Sequence, residues 1–139
     1  TEKGSLSERS FELELKLNPG EASSCGIRLR SGVDEFLEIG YDRDPGVVYV
    51  DRRQAGNVDF HPAVAGRYEA PVRLIDGSVS LQIIVDRSTS EVFINDGEAV
   101  ISNCFFPSQS SPVIEAFTGD ASASITNAKL WTLKSIWNP

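Results

Sequence analysis

Apolar and polar residues alternate with a period of two along most of this sequence, and that pattern limits the chain to folds built from β-strands. The clearest run is 10–17 (SFELELKL), which places phenylalanine and leucine on one face and charged residues on the other. No window of eleven or more residues has a convincing helical period. Further strand-like runs lie at 25–30, 37–42, 47–51, 68–75, 81–85, 91–94, 113–117 and 122–136.

Turn-forming residues separate these runs at short intervals. Asp44-Pro45-Gly46, Asp76-Gly77 and Asn95-Asp96-Gly97 each lie between two runs, which predicts hairpins. Short alternating strands joined by such turns indicate an all-β fold, a two-sheet antiparallel β-sandwich of the jelly-roll or lectin-like kind. We expect ten to twelve strands in a single domain spanning residues 1–139, with the first and last strands as neighbours.

Length and charge narrow the classes of partner. The chain has 139 residues and a net charge of −7, with 13 Lys+Arg against 20 Asp+Glu, so a nucleic-acid partner is not expected. The longest apolar runs are about five residues, too short to cross a membrane. The sequence begins at Thr1 and shows no signal peptide, so we expect a domain excised from a larger precursor.

The residue types that usually carry catalysis or bind metals are sparse. His61 is the only histidine, and no glycine-flanked nucleophile accompanies it. The triplet Arg43-Asp44-Pro45 is interpreted as turn chemistry. Calcium is possible at the acidic residues of 34–44, but no EF-hand spacing is present and no metal or other cofactor is predicted. Cys25 and Cys104 are either two buried thiols or one disulfide.

Polar strand ends favour a sugar-binding surface over an active site. Three apolar-Asp-Arg junctions recur, at 41–43, 50–52 and 85–87. Carboxylates accept hydrogen bonds from vicinal hydroxyls, guanidinium groups donate, and an aromatic ring covers the apolar side of a sugar. Plain ion pairs at strand ends are the alternative. The rings considered are Tyr41, Tyr49, Trp131 and Trp137, with Trp131 expected in the core or at the sheet interface. The predicted carbohydrate-binding residues are Glu38, Tyr41, Asp42, Asp51, Arg52, Asp86, Arg87, Glu91 and Trp137.

Several stretches occur in an order that is known from one protein family. They are 38–42 (EIGYD), 48–52 (VYVDR), 60–61 (FH), 67–71 (RYEAP), 85–88 (VDRS), 91–93 (EVF), 95–98 (NDGE) and 106–107 (FP). Together they resemble the C-terminal β-sandwich of glycoside hydrolase family 32, the invertases, inulinases and levanases. They are also similar to the related carbohydrate-binding module family 66.

The resemblance implies a context for the domain. Family enzymes carry their catalytic carboxylates on a separate propeller, so this chain is expected to be non-catalytic. It would bind fructan (levan or inulin) or fructose and target a covalently linked fructan-hydrolysing domain, in a secreted protein. Two alternatives stay open. One is a structural sandwich that binds no ligand, and the other is a calcium-dependent, lectin-like adhesion domain.

Overall fold

The computed structural model describes residues 10–30, 36–51, 66–86, 89–104, 113–120 and 122–132. None of these residues is helical, so this part of the chain has no helix that could span a membrane. The described residues form ten strands, and the prediction for the whole chain was ten to twelve. They are β1 (Ser10–Asn18), β2 (Ser24–Arg30), β3 (Phe36–Asp42), β4 (Val47–Asp51), β5 (Arg67–Pro71), β6 (Val79–Asp86), β7 (Thr89–Ile94), β8 (Ala99–Cys104), β9 (Val113–Thr118) and β10 (Ser124–Thr132).

The strands form two five-stranded antiparallel sheets. Sheet A has the order β10-β1-β6-β7-β8, and sheet B has the order β5-β4-β3-β2-β9. β1 and β10 pair from Phe11 with Thr132 to Asn18 with Ser124, so the predicted contact between the first and last strands is confirmed. The all-β sandwich predicted from the alternating pattern is confirmed as well.

The inner faces of the two sheets make one hydrophobic core. In β1 every second residue, from Phe11 to Leu17, is at most 5% exposed. The inward residues of β2, β3, β4, β6 and β7 are aliphatic for the most part and equally buried, since each strand turns one face to the opposite sheet. The outer face of each sheet carries the polar residues. Among the described residues, the polar side chains that could bind a ligand therefore lie on the two outer faces, at the sheet edges and in the turns.

The predicted turns adopt the backbone that their residues favour. Asp76 and Gly77 both have positive φ, at 54° and 79°, as a two-residue hairpin turn requires. Asn95, Asp96 and Gly97 also have positive φ, and the chain reverses there between β7 and β8. Arg43–Gly46 connects β3 to β4, so its interpretation as a turn is confirmed.

Two expectations about local structure were wrong. The run 68–75 is not one strand, because β5 ends at Pro71 and only Ile75 makes a further isolated bridge, to Ser78. Proline lacks the N–H that would continue the ladder. Trp131 is not in the core: it is 43% exposed and pairs with Glu12 on the outer face of sheet A.

Candidate functional site

The outer face of sheet B carries a row of charged residues in register across all five strands. Arg67 pairs with Asp51, Asp51 with Glu38, Glu38 with Arg28, and Arg28 with Glu115. Cross-strand partners on one face have side chains close enough to interact. The register therefore brings carboxylates and guanidinium groups from five separate strands together on one surface.

Ion pairs connect this row to its neighbours. Arg28 Nε donates a hydrogen bond to Glu38 Oε1 at 2.8 Å, and Arg67 donates to the Asp42 carboxylate. Arg67 Nε is also buried 3.1 Å from Glu69 Oε2, a contact that is ionic without hydrogen-bond alignment. Burial lowers the pKa of Arg67, but the hydrogen bond and charge of Asp42 outweigh it, so the guanidinium pKa is raised. Arg67 is thus a permanent cation between two carboxylates.

Tyr49 lies at the centre of these ion pairs. It is on the outer face, yet it is only 3% exposed, because the guanidinium carbon of Arg67 is 4.0 Å from its ring centroid. Its hydroxyl donates to Glu38 Oε2 at 2.5 Å. Burial raises the pKa of the Tyr49 phenol, and the hydrogen bond and negative charges of Glu38 and Asp42 raise it further. We call Arg28, Glu38, Asp42, Tyr49 and Arg67 the Tyr49 cluster.

Two glycines give the cluster a flat floor. Gly26 and Gly40 are register partners on the outer face, and Gly40 pairs with Tyr49 on its other side. A Cβ at Gly40 would be 2.9 Å from the Tyr49 hydroxyl oxygen, so the ring rests directly on the backbone. A Cβ at Gly26 would be 2.2 Å from the carbonyl oxygen of Ile39, which leaves no space for any side chain.

The predicted site residues divide between the two sheets. Glu38 and Asp42 belong to the Tyr49 cluster, and Asp51 lies beside them in the charged row. Glu91 is exposed on the outer face of sheet A, and Asp86 ends β6 in the same sheet. The structure therefore does not bring these two acids to the other three. Arg52, Arg87 and Trp137 lie outside the described residues.

Tyr41 needs correction as a surface platform for a sugar. It pairs with Cys25 and Val48 on the inner face and is 5% exposed, so its ring belongs to the core. Cys25 is a free, buried thiol, which confirms the first of the two interpretations for this cysteine.

The most important additions to the site list are Arg28 and Arg67. Arg28 lies 4.6 Å from the ring centroid of Phe117 and 5.2 Å from that of Phe36, in cation–π contact with both. The sequence contained a signal for Arg28, because it lies opposite Glu38 when the two adjacent alternating strands pair. Within the described ranges, no three histidine, cysteine, aspartate or glutamate side chains converge to hold a metal ion.

Comparison with known proteins gives a consistent result. The family model "Glycosyl hydrolases family 32 C terminal" matches residues 1–132. A levanase of Bacillus subtilis (strain 168) is 38% identical over 125 residues, and a levanase of Bacillus sp. (strain L7) is 34% identical over 128 residues. These alignments cover 89% and 91% of this chain. They span only 18% and 14% of the two levanases.

A solved structure agrees with the sequence matches. The crystal structure of exo-inulinase from Aspergillus awamori superposes with a TM-score of 0.77 at 28% identity. The superposition covers 89% of this chain and 25% of the exo-inulinase chain. The similarity is therefore confined to one domain of much longer proteins.

Proposed function

This chain belongs to glycosyl hydrolase family 32 as one of its C-terminal domains, and we propose that it is a non-catalytic module that binds fructan. Its relatives include proteins named levanase and extracellular exo-inulinase, and levan and inulin are both fructans. The proposed role is to hold an attached fructan-hydrolysing domain at its polymer, outside the cell. A weak single site is sufficient for this, because tethering raises the effective concentration of the enzyme at its substrate.

One observation carries the proposal: the Tyr49 cluster presents carboxylates and a guanidinium side by side on an outward face. The side chains of Arg67 and Asp42 are 28% and 27% exposed, so both can reach a ligand while they stay anchored to each other. A carboxylate oxygen keeps a lone pair after accepting one hydrogen bond, and a guanidinium has five N–H groups. The pair can therefore accept from one sugar hydroxyl and donate to its neighbour.

Fructose hydroxyls match this arrangement chemically. Vicinal hydroxyls have a spacing that a carboxylate and a guanidinium can share, and charge-assisted hydrogen bonds are the strong ones. Phe117 is the register partner of Gly26 and is half-buried, so the part of its ring that Arg28 does not cover offers an apolar surface. We propose that Asp42 and Arg67 bind the hydroxyls of one fructosyl unit, with Glu38 and Asp51 holding the surrounding row in place.

Calorimetric titration of the chain with fructose, levan and inulin tests the proposal. We expect heat of binding with fructan, and a loss of about tenfold in affinity for Asp42→Asn, which keeps the shape and removes the charge. Glu91→Gln is the matched control, because Glu91 is an exposed carboxylate on the opposite sheet, and its affinity should match that of the wild type. Absence of heat with all three ligands would refute the module. Chelator should leave binding unchanged, whereas a calcium-dependent lectin would lose it.

The structural alternative also has an observation in its favour. Leu130 and Trp131 are 45% and 43% exposed on opposite faces of the edge strand β10, so another domain packed around this edge would bury both. A chain that fails to bind any fructan would favour this second function. The two roles differ in location, because β10 belongs to sheet A and the Tyr49 cluster to sheet B.

A further inference from the structure

A groove of about 920 Å³ lies on the outer face of sheet A, on the side of the sandwich opposite to the Tyr49 cluster. Four strands contribute to it: β10, β1, β6 and β7. Neighbouring strands are about 4.8 Å apart, so the three spacings between these four strands make the groove about 14 Å across. Its volume is near the upper end of the range for small-molecule sites, so it has room for more than one sugar ring. We call it the sheet A groove.

The floor of the groove consists of outward-facing side chains of three adjacent strands. Lys16 is next to Ser80 in register, and Gln82 is next to Phe93. Phe93 is half-buried, so one part of its ring remains available as an apolar surface. Polar groups beside an aromatic ring are the combination that a sugar chain needs.

The walls come from two irregular features. On one side β10 is bulged, with two residues opposite Leu15 and with Asn127 at a φ of 55°, and a bulge bends its strand. On the other side are the turns that contain Asp76 and Asp96. The Asn95 side chain holds these turns together, since it accepts from Ser80 N at 3.0 Å and donates to Arg73 O at 3.1 Å. The walls of the groove are therefore formed by the β10 bulge on one side and by hydrogen-bonded turns on the other.

The charges of the groove suit a neutral ligand. Its acidic residues are Glu14, Asp76 and Asp96, and its basic residues are Lys16 and Lys129, so the lining is close to neutral. Glu14 and Lys129 are register partners, yet their side chains form no ion pair in the part of the chain that the structure describes. This differs from the Tyr49 cluster, where each arginine is paired with a carboxylate.

We propose that the sheet A groove is a second binding site, which takes an internal stretch of a neutral polysaccharide chain. The Tyr49 cluster then takes a single fructosyl unit, and the two sites bind a polymer together. The identification of the polymer as fructan rests on the proposed function, whereas the second site is inferred from the groove itself. Two sites on one domain raise the affinity for a polymer by about a hundredfold over either site alone, without changing the affinity for a monosaccharide.

Gel retardation in levan or inulin, together with calorimetry on free fructose, tests the second site. The double variant Lys16→Ala/Lys129→Ala removes two donors from exposed positions, and Ser80→Trp fills the floor. We expect both variants to lose about tenfold or more in affinity for the polymer and to keep the wild-type affinity for fructose. Ser102→Trp is the control, because Ser102 is exposed on the same outer face but outside the groove. Thermal unfolding verifies that each variant is folded.

The outcomes separate the two proposals. Groove variants that are retarded like the wild type would overturn the second site, whatever happens with fructose. Loss of retardation in the groove variants, with no heat from fructose in any protein, would refute the site at the Tyr49 cluster and keep the groove. Wild-type protein that neither polymer retards would overturn both.

Discussion

The guanidinium of Arg67 covers the ring of Tyr49 at 4.0 Å, and by doing so it buries a tyrosine that the strand turns toward solvent. The hydroxyl end of the ring lies against Gly40, where no side chain intervenes. The Tyr49 hydroxyl donates a hydrogen bond to Glu38, and Arg28 donates another to the same carboxylate. The outer face of sheet B is therefore a packed assembly of ion pairs and rings, unlike a solvated polar face.

Replacing Arg67 should destabilise the protein measurably. Arg67→Ala exposes the Tyr49 ring and removes the partner of Asp42, and we expect the free energy of unfolding to fall by about 1–3 kcal/mol. Arg73→Ala is the control: its side chain is 82% exposed and its guanidinium is 3.3 Å from the Glu98 carboxylate, so the loss should stay within about 0.5 kcal/mol. Urea unfolding of both variants measures the difference, and equal losses would contradict a special role for Arg67.

The phenol of Tyr49 should make stability depend on pH in the alkaline range. Its pKa is raised in the folded state, so its contribution is complete below the unfolded value of about 10 and is lost as the pH rises above it. The free energy of unfolding should fall by up to about 1.4 kcal/mol per pH unit from this group alone. Tyr49→Phe removes that slope, although it costs stability at neutral pH through the lost hydrogen bond to Glu38.

Urea unfolding between neutral and strongly alkaline pH measures this effect. Lysines and other tyrosines titrate in the same range, so the informative quantity is the difference between wild type and Tyr49→Phe at each pH. A difference that stays constant above pH ~10 would show that Tyr49 titrates like an ordinary phenol.

The fold could be predicted from the sequence because its two determinants are local. Alternation in the run 10–17 identifies the inner face of β1, and Asp76-Gly77 supplies the positive φ of its turn. The same parity places Tyr41 with Leu37 and Ile39, so its burial in the core was predictable. The prediction of a surface ring at this position gave the neighbouring polar residues too much weight.

The site depends on register, which the sequence does not display. Tyr49 is covered only because Gly40 lies opposite it and Arg67 arrives on the next strand, after a long connection. Nothing in the sequence of the run 47–51 indicates which residues of the neighbouring strands lie beside Tyr49. Asp86 ends β6 just as Asp42 and Asp51 end β3 and β4, yet it belongs to the other sheet, and so does Glu91 inside β7. Local patterns therefore predicted acidic strand ends correctly but could not group them.

The glycine floor provides a sharp test of close packing. Gly26→Ala would place a Cβ 2.2 Å from Ile39 O and 2.5 Å from Gly40 Cα, both backbone atoms of the paired strand. We expect a loss at or above about 3 kcal/mol, the upper end for overpacking. Gly77→Ala is the matched control, since its Cβ meets nothing within 4 Å and only the φ of 79° is strained, which costs about 1–2 kcal/mol. Similar melting temperatures for the two variants would contradict the close approach of β2 and β3.

The thiol of Cys25 should be protected from modification in the folded protein. Cys25 is 2% exposed on the inner face, and burial raises its thiol pKa although the positive charge of Arg43 lowers it in part. Only the thiolate reacts, so both access and ionisation slow the reaction. In a Cys104→Ser variant, which leaves one cysteine, we expect dithionitrobenzoate to react at least about a hundred times more slowly in buffer than in denaturing urea. Similar rates in the two solvents would show that the inner face at β2 and β3 opens readily, against the packing of Cys25 beside Tyr41.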